Sequence, residues 1–127
     1  MTTNFEVDQM ANKLNIPNYR GCIMMDELGH ANPNEIECAV VNLQRSSENG
    51  SHWVAYYKKY NDKYFFCSYG SPIPVGIKNY LGSPIKCHNF QIQSFNSVEC
   101  GELCILFLYL MSKGLGFDDV VLSLLDK

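Results

Sequence analysis

The chain has 127 residues, 46% apolar and 18% charged, with a formal net charge of −3; this is the composition of one globular domain over residues 1–127, not of a disordered tail. No run of Lys or Arg could neutralise a track of phosphates, so nucleic acid is not an expected partner. The apolar run over residues 104–111 is far short of the roughly 20 residues a membrane-spanning helix needs, so no membrane partner is expected either.

Thr3-Asn4-Phe5-Glu6 has the form of a capping box, and Phe5, Met10, Ala11 and Leu14 follow at roughly helical spacing, which predicts a helix over residues 4–14. Pro17 and Gly21 break it, and residues 16–35, with Gly29, Asn32, Pro33 and Asn34, read as irregular. Residues 36–43, 52–60 and 63–69 are rich in β-branched and aromatic side chains and predict three consecutive antiparallel strands. The turn residues of 46–51 join the first two, and Asn61-Asp62 makes the hairpin between the others. Gly70 and Pro72 close the block. A short helix over 77–81 and a further strand over 85–93 follow. Asn96 or Ser97 caps a helix that runs from Cys100 through Leu103, Cys104, Phe107, Leu108 and Met111 to Gly114, with an apolar face wide enough to predict a central, buried element. A last helix over 118–125 completes an α+β arrangement without internal repeats.

The six cysteines show no Cys-x-x-Cys and the three histidines no His-x₃₋₅-His, so neither a disulfide framework nor a metal site is expected, and no cofactor is implied. Cys100 opens the central helix, where unpaired N–H groups and the helix dipole stabilise a thiolate. Gly101 beside it leaves room for a substrate backbone, and the Cys100 N–H could meet an oxyanion. Alone, Cys100 reads better as a small hydrophobe in a buried helix. His52 opens a strand next to the sole tryptophan, Trp53. It could be a packed edge residue, or a base that meets Cys100 in space. His30, in a Gly/Asn/Pro loop, and His88, between Cys87 and Asn89, read as surface or structural residues.

Taken together these residues carry a resemblance. Gln93-Ser94-Phe95-Asn96-Ser97-Val98-Glu99-Cys100-Gly101-Glu102-Leu103-Cys104 resembles, without a gap, the Gln-x-x-Asn-Ser-x-x-Cys-Gly-x-x-Cys segment of the adenovirus endopeptidase (adenain) family. Glu37-Cys38-Ala39-Val40-Val41-Asn42 and Gly50-Ser51-His52-Trp53-Val54-Ala55-Tyr56 resemble that family's strand, loop and His-Trp strand. Gly21-Cys22-Ile23-Met24-Met25-Asp26-Glu27-Leu28 is similar to a segment of related proteases of large DNA transposons and small DNA viruses. The likeness spans about residues 20–113 and extends more distantly to ubiquitin-like-protein-specific proteases.

The resemblance implies a papain-like α+β fold in which a mainly antiparallel sheet packs on the helix bearing Cys100. It implies a cysteine endopeptidase in which Cys100 attacks the scissile carbonyl, His52 shuttles the proton and Gln93 donates to the oxyanion. Trp53 would wall a narrow tunnel that admits glycine-like substrate residues. The expected substrates are Gly-containing sites in viral or transposon structural precursors, or ubiquitin-like conjugates. An activating peptide is a further partner the family implies. The N-terminal residues lack the basic start and apolar centre of a signal peptide, so the expected location is the cytoplasm or nucleus of a host cell, or the virion, and not the secretory route. Cys104, one turn after Cys100, matches the family's second cysteine and is expected in the core.

One position departs. Where the family has a carboxylate or Asn at the end of the third strand, the aligned segment here is Phe66-Cys67-Ser68-Tyr69-Gly70, and Cys67 stands at the acid's place. A neutral thiol is a poor acceptor for the imidazole N–H. Asp62 and Ser68 are not expected to replace it. The alternative expectation is therefore a weakened or inactive relative that uses the fold as a binding or assembly module.

Overall fold

The computed structural model describes residues 3–29, 32–43, 52–92 and 100–125. Helix α1 (Asn4–Lys13) begins where the sequence predicts: Thr3 accepts from the Glu6 N–H and Glu6 returns the bond to the Thr3 N–H at 3.0 Å. Four strands follow, β1 (Tyr19–Met24), β2 (Ile36–Asn42), β3 (Trp53–Lys59) and β4 (Asp62–Phe66). After them come α2 (Val75–Leu81), α3 (Cys100–Ser112) and α4 (Phe117–Leu125). The protein is thus α+β, with a four-stranded mixed sheet in the order β1-β2-β3-β4.

The sheet is mixed because β1, within the stretch expected to be irregular, pairs in parallel with β2, whereas β2-β3 and β3-β4 are antiparallel. Nothing in residues 19–24 alternates cleanly, since the strand is only half-buried and a bulge lies between Tyr19 and Cys22, where Gly21 takes φ +123°. Its outer edge is held by one side chain of α1: Asp8 Oδ1 accepts from the Cys22 N–H at 2.7 Å and the Tyr19 hydroxyl at 2.8 Å. A second correction concerns residues 85–93. Their described part is not a strand; it touches β4 by a single parallel bridge, Tyr64 to Lys86, and the turn after β4 by an Ile92 N–H bond to the Ser68 carbonyl at 2.7 Å. The β3-β4 hairpin turns through Tyr60 and Asn61, with Lys59 opposite Asp62 and Tyr60 at φ +55°.

Both faces of the sheet are covered, which is why β2 is buried almost throughout. Cys38, Val40, Trp53, Ala55 and Phe66 face a core shared with α1, α3 and α4. Ala39, Val41, Val54, Tyr56, Phe65 and Cys67 face Ile77 and Leu81 of α2. Helix α3 is apolar nearly all round, with Leu103, Ile105, Phe107, Leu108 and Met111 buried, as a helix sandwiched between sheet and helices must be. Each such side chain contributes about 1.5–3 kcal/mol by leaving water. Phe107 stacks on Phe66 at 4.8 Å and meets Phe117 of α4 edge-on at 5.9 Å, so the helical layer and β4 share one aromatic cluster.

Under the sheet's other face lies a buried carboxylate. Glu37, 1% exposed, accepts from the Tyr56 hydroxyl at 2.6 Å, the Tyr80 hydroxyl at 2.9 Å and the Asn34 N–H at 2.7 Å, with Arg20 at 3.4 Å. These partners satisfy a charge that burial alone would make prohibitive. Among the described residues no helix is long and apolar enough to cross a membrane.

Candidate active site

Three site residues named from the sequence meet at one end of the sheet. His52 immediately precedes β3 and Cys67 immediately follows β4, and because the two strands are antiparallel their outer ends coincide. Cys100 is the first residue of α3. Cys67 belongs to the α2-side core and Cys100 to the α3-side core, so the imidazole stands where the two layers converge.

The sulfur of Cys67 lies 3.5 Å from His52 Nε2. The other ring nitrogen, Nδ1, is buried and makes no conventional hydrogen bond among the described residues. Even so, interaction with Cys100 is the largest influence on the ring, followed by Cys67. Against opposing burial these thiols raise the imidazole pKa to about 9. The ring therefore has one nitrogen committed to Cys67 and the other available to the Cys100 side. Tyr69 packs on it with centroids 5.0 Å apart.

The surroundings of Cys67, at the acid's position, act on its thiol in opposite directions. Burial pushes its pKa up, but hydrogen bonds with His52 and with the backbone N–H groups of Ser71 and Tyr69, together with the imidazole's charge, bring it down to about 7. A turn sets this geometry: the Gly70 N–H donates to the Cys67 carbonyl at 2.8 Å. Gly70 takes φ +69°, and a Cβ there would stand 2.7 Å from the Phe90 carbonyl oxygen, so only glycine fits. Asp62 is at the far end of β4 from Cys67, and Ser68 is buried.

Cys100 is 5% exposed and its sulfur accepts the Trp53 backbone N–H at 3.3 Å. Gly101 is buried in the first turn of α3. Cys104 is wholly buried, and burial and the neighbouring thiols Cys100, Cys67 and Cys22 hold its pKa well above the usual thiol range, the state of a core residue. All six cysteines are free. Among the described residues no group of three or more His, Cys, Asp or Glu could hold a metal ion.

Trp53 is brought to the site by its main chain. Its ring is 3% exposed in the core, and its indole N–H donates to Asn4 Oδ1 at 2.8 Å. Gln93, the residues expected to cap α3 (Asn96 and Ser97) and His30 lie outside the described residues. His88 is 8% exposed beside Phe66, Phe90 and Phe117, a packed residue and not a surface one.

Two contributors escaped the sequence reading. Tyr69 was not placed by strand alternation, because it stands in the turn that the Gly70 N–H closes onto the Cys67 carbonyl. Asn4 carried no signal, because 49 positions separate it from the indole it holds. Comparison with protein-family models and with curated protein sequences gives no match.

Proposed function

We infer that the chain is a cysteine endopeptidase of papain-like, adenain-like architecture. The observation that carries this reading is a single imidazole set between two thiols, one of which, Cys100, opens the buried helix and accepts a main-chain N–H. The α+β topology and the arrangement of β3, β4 and α3 around His52 are compatible with it.

The chemistry follows from the residues. Nε2 faces Cys67, so Nδ1 is the nitrogen that takes the Cys100 proton as Sγ attacks the scissile carbonyl carbon. The Trp53 N–H steadies the sulfur as it gains charge. The Cys100 N–H and the Gln93 side chain are the proposed oxyanion donors. Nδ1 then protonates the leaving amine, the acyl group remains as a thioester on Cys100, and His52 activates the water that hydrolyses it. Gly101 leaves the sulfur approachable, and glycine at the scissile bond matches that demand for space. The proposed substrates are Gly-containing sites in viral or transposon structural precursors, or ubiquitin-like conjugates, with an activating peptide as a further partner.

A second reading, a binding or assembly module without turnover, is favoured by the burial of Cys100 and by a thiol in the acid's place. Incubating the wild type, Cys67→Asp and Cys100→Ser proteins with a Gly-Gly peptide series separates the two. Cleavage that depends on Cys100 supports the endopeptidase. Binding without cleavage in both the wild type and Cys67→Asp supports the module.

A further inference from the structure

A cysteine peptidase must hand a proton to the amide nitrogen that departs, so its imidazole has to lie beside that nitrogen. In the proposed mechanism Cys100 gives its proton to Nδ1 of His52, the Sγ–C bond forms, the C–N bond breaks, and the same proton goes to the departing nitrogen. That nitrogen belongs to the first substrate residue after the scissile bond. Proton transfer needs about 3 Å between it and Nδ1, and two covalent bonds of about 1.5 Å each lead on to that residue's Cβ. Its side chain therefore starts within about 6 Å of the imidazole. A large side chain that lies against His52 and still faces solvent is within its reach.

Tyr69, in the turn after β4, is such a side chain. Its ring lies against the His52 ring with centroids 5.0 Å apart and planes 31° from parallel, yet the residue is 45% exposed. The other neighbours of the imidazole are turned inward. Cys67, on the Nε2 side, is buried. The Trp53 indole is packed in the core and bonded to Asn4. The aromatic surface beside the imidazole is thus offered by Tyr69 and not by the indole.

We propose that Tyr69 determines specificity on the leaving side of the scissile bond: its exposed ring takes the side chain that follows the bond and favours an aromatic or large aliphatic one. The proposal rests on the endopeptidase reading and deepens it, because it names a preference on the side of the bond for which no residue has been assigned.

The backbone holds this surface ready. Tyr69 stands between two anchored neighbours: the Ser68 carbonyl accepts the Ile92 N–H at 2.7 Å, and the Gly70 N–H donates to the Cys67 carbonyl at 2.8 Å. Gly70 itself is pressed against the main chain of Phe90, where a Cβ would stand 2.7 Å from the carbonyl oxygen. A ring carried on so constrained a turn is in place before a peptide arrives, which spares the ordering cost of binding. Glycine or alanine after the scissile bond would leave the Tyr69 ring in water. Leucine or phenylalanine there removes apolar surface of both partners from water, and phenylalanine adds a ring-to-ring contact.

A ring that only steadied His52 would act on every substrate alike, since it would touch the imidazole and not the leaving residue. A ring that contacts the leaving residue changes the order of preference among substrates. The two roles separate in a ratio of rates.

The full chain is assayed with peptides that differ only in the residue after Gly-Gly, which is Phe, Leu, Ala or Gly, and kcat/KM is taken from mixtures of the series. Circular dichroism melts verify that each variant folds, and the ratio cancels any loss common to all peptides. The expected result is a preference for Phe and Leu over Gly of roughly tenfold. Tyr69→Ala should reduce it to about twofold or less, and Tyr69→Phe, which keeps the ring, should retain it. The same peptides, dye-labelled, are also tested for binding to the Cys100→Ser chain with and without Tyr69→Ala. The absence of a preference in the wild type, or a preference that Tyr69→Ala leaves unchanged, overturns the proposal. No cleavage of any peptide, together with a binding preference for Phe over Gly that Tyr69→Ala removes, overturns the endopeptidase reading and keeps Tyr69 as the contact for this residue. Neither cleavage nor binding overturns both.

Discussion

The main-chain N–H of Trp53 donates to the sulfur of Cys100 at 3.3 Å, so the residue beside the proposed base also holds the proposed nucleophile. Because Trp53 is paired with Asn42 in the β2-β3 ladder, the sulfur is tied by that bond to the end of the ladder. Cys100→Ser keeps the size of the side chain and an acceptor for this N–H, so stability should change by less than about 1 kcal/mol. Peptide cleavage should fall at least about 10³-fold, because a hydroxyl beside the same imidazole ionises far less readily. Parallel urea melts and single-turnover assays check both; equal activity in the two proteins rules out Cys100 as nucleophile.

Asn4 joins three elements, and its loss should be felt at the site. Its Oδ1 accepts from the Trp53 indole at 2.8 Å and from the Asn42 side chain at 3.1 Å. Asn4→Ala leaves the indole N–H without that acceptor in a buried setting, at a cost of about 1–3 kcal/mol. Tryptophan fluorescence should report a changed indole environment before global unfolding, and an unchanged emission spectrum and melt contradict this role.

Glu37 is a buried acceptor shared by several elements. Glu37→Ala takes the shared acceptor from the Tyr56 and Tyr80 hydroxyls and the Asn34 N–H, which should destabilise by about 3 kcal/mol or more. Arg20→Ala should cost less than about 1 kcal/mol, because the guanidinium is 37% exposed and its pair is partly screened. Denaturant midpoints of the two variants test the order, and similar losses for both would contradict it.

His88 should make stability fall on the acid side. Its ring is packed among Phe66, Phe90 and Phe117, Nε2 is buried without a hydrogen bond among the described residues, and burial lowers its pKa while the Phe90 carbonyl at Nδ1 opposes this. A histidine with a folded pKa below its unfolded value of about 6.5 binds more proton when unfolded, so stability drops as pH falls below that value. His88→Phe should flatten this part of the curve. Urea melts at about pH 5 and about pH 7 in both proteins decide it, and an unchanged slope in the variant would assign the acid loss elsewhere.

By contrast, His52 and Cys67 should leave little trace in stability between about pH 7 and about pH 9. The raised imidazole alone would stabilise fully below about 6.5 and lose this through about 9; the lowered thiol alone would stabilise above its unfolded value and lose this as pH falls through about 7. In a coupled pair the proton only changes hands, so folded and unfolded chains bind nearly the same number.

Elements whose signals are local could be read directly from the residues. The Thr3–Glu6 box set the start of α1, the β-branched runs set β2 to β4, and the continuous apolar surface after Cys100 set α3 as the central helix, because caps, side-chain alternation and helical spacing act within a few residues. The sequence also singled out His52, Cys67 and Cys100 as residues able to carry chemistry. Tertiary structure alone decided the rest. Strand β1 exists because β2 offers a parallel edge and Asp8 caps its other side, neither of which residues 19–24 encode. The state of Cys67 was decided in the same way: a thiol reads as neutral in a sequence, and only the approach of an imidazole 15 residues away and the donors of the following turn bring its pKa to about 7. Ionisation is set by the field of neighbours in space, and that field comes into being when the chain folds.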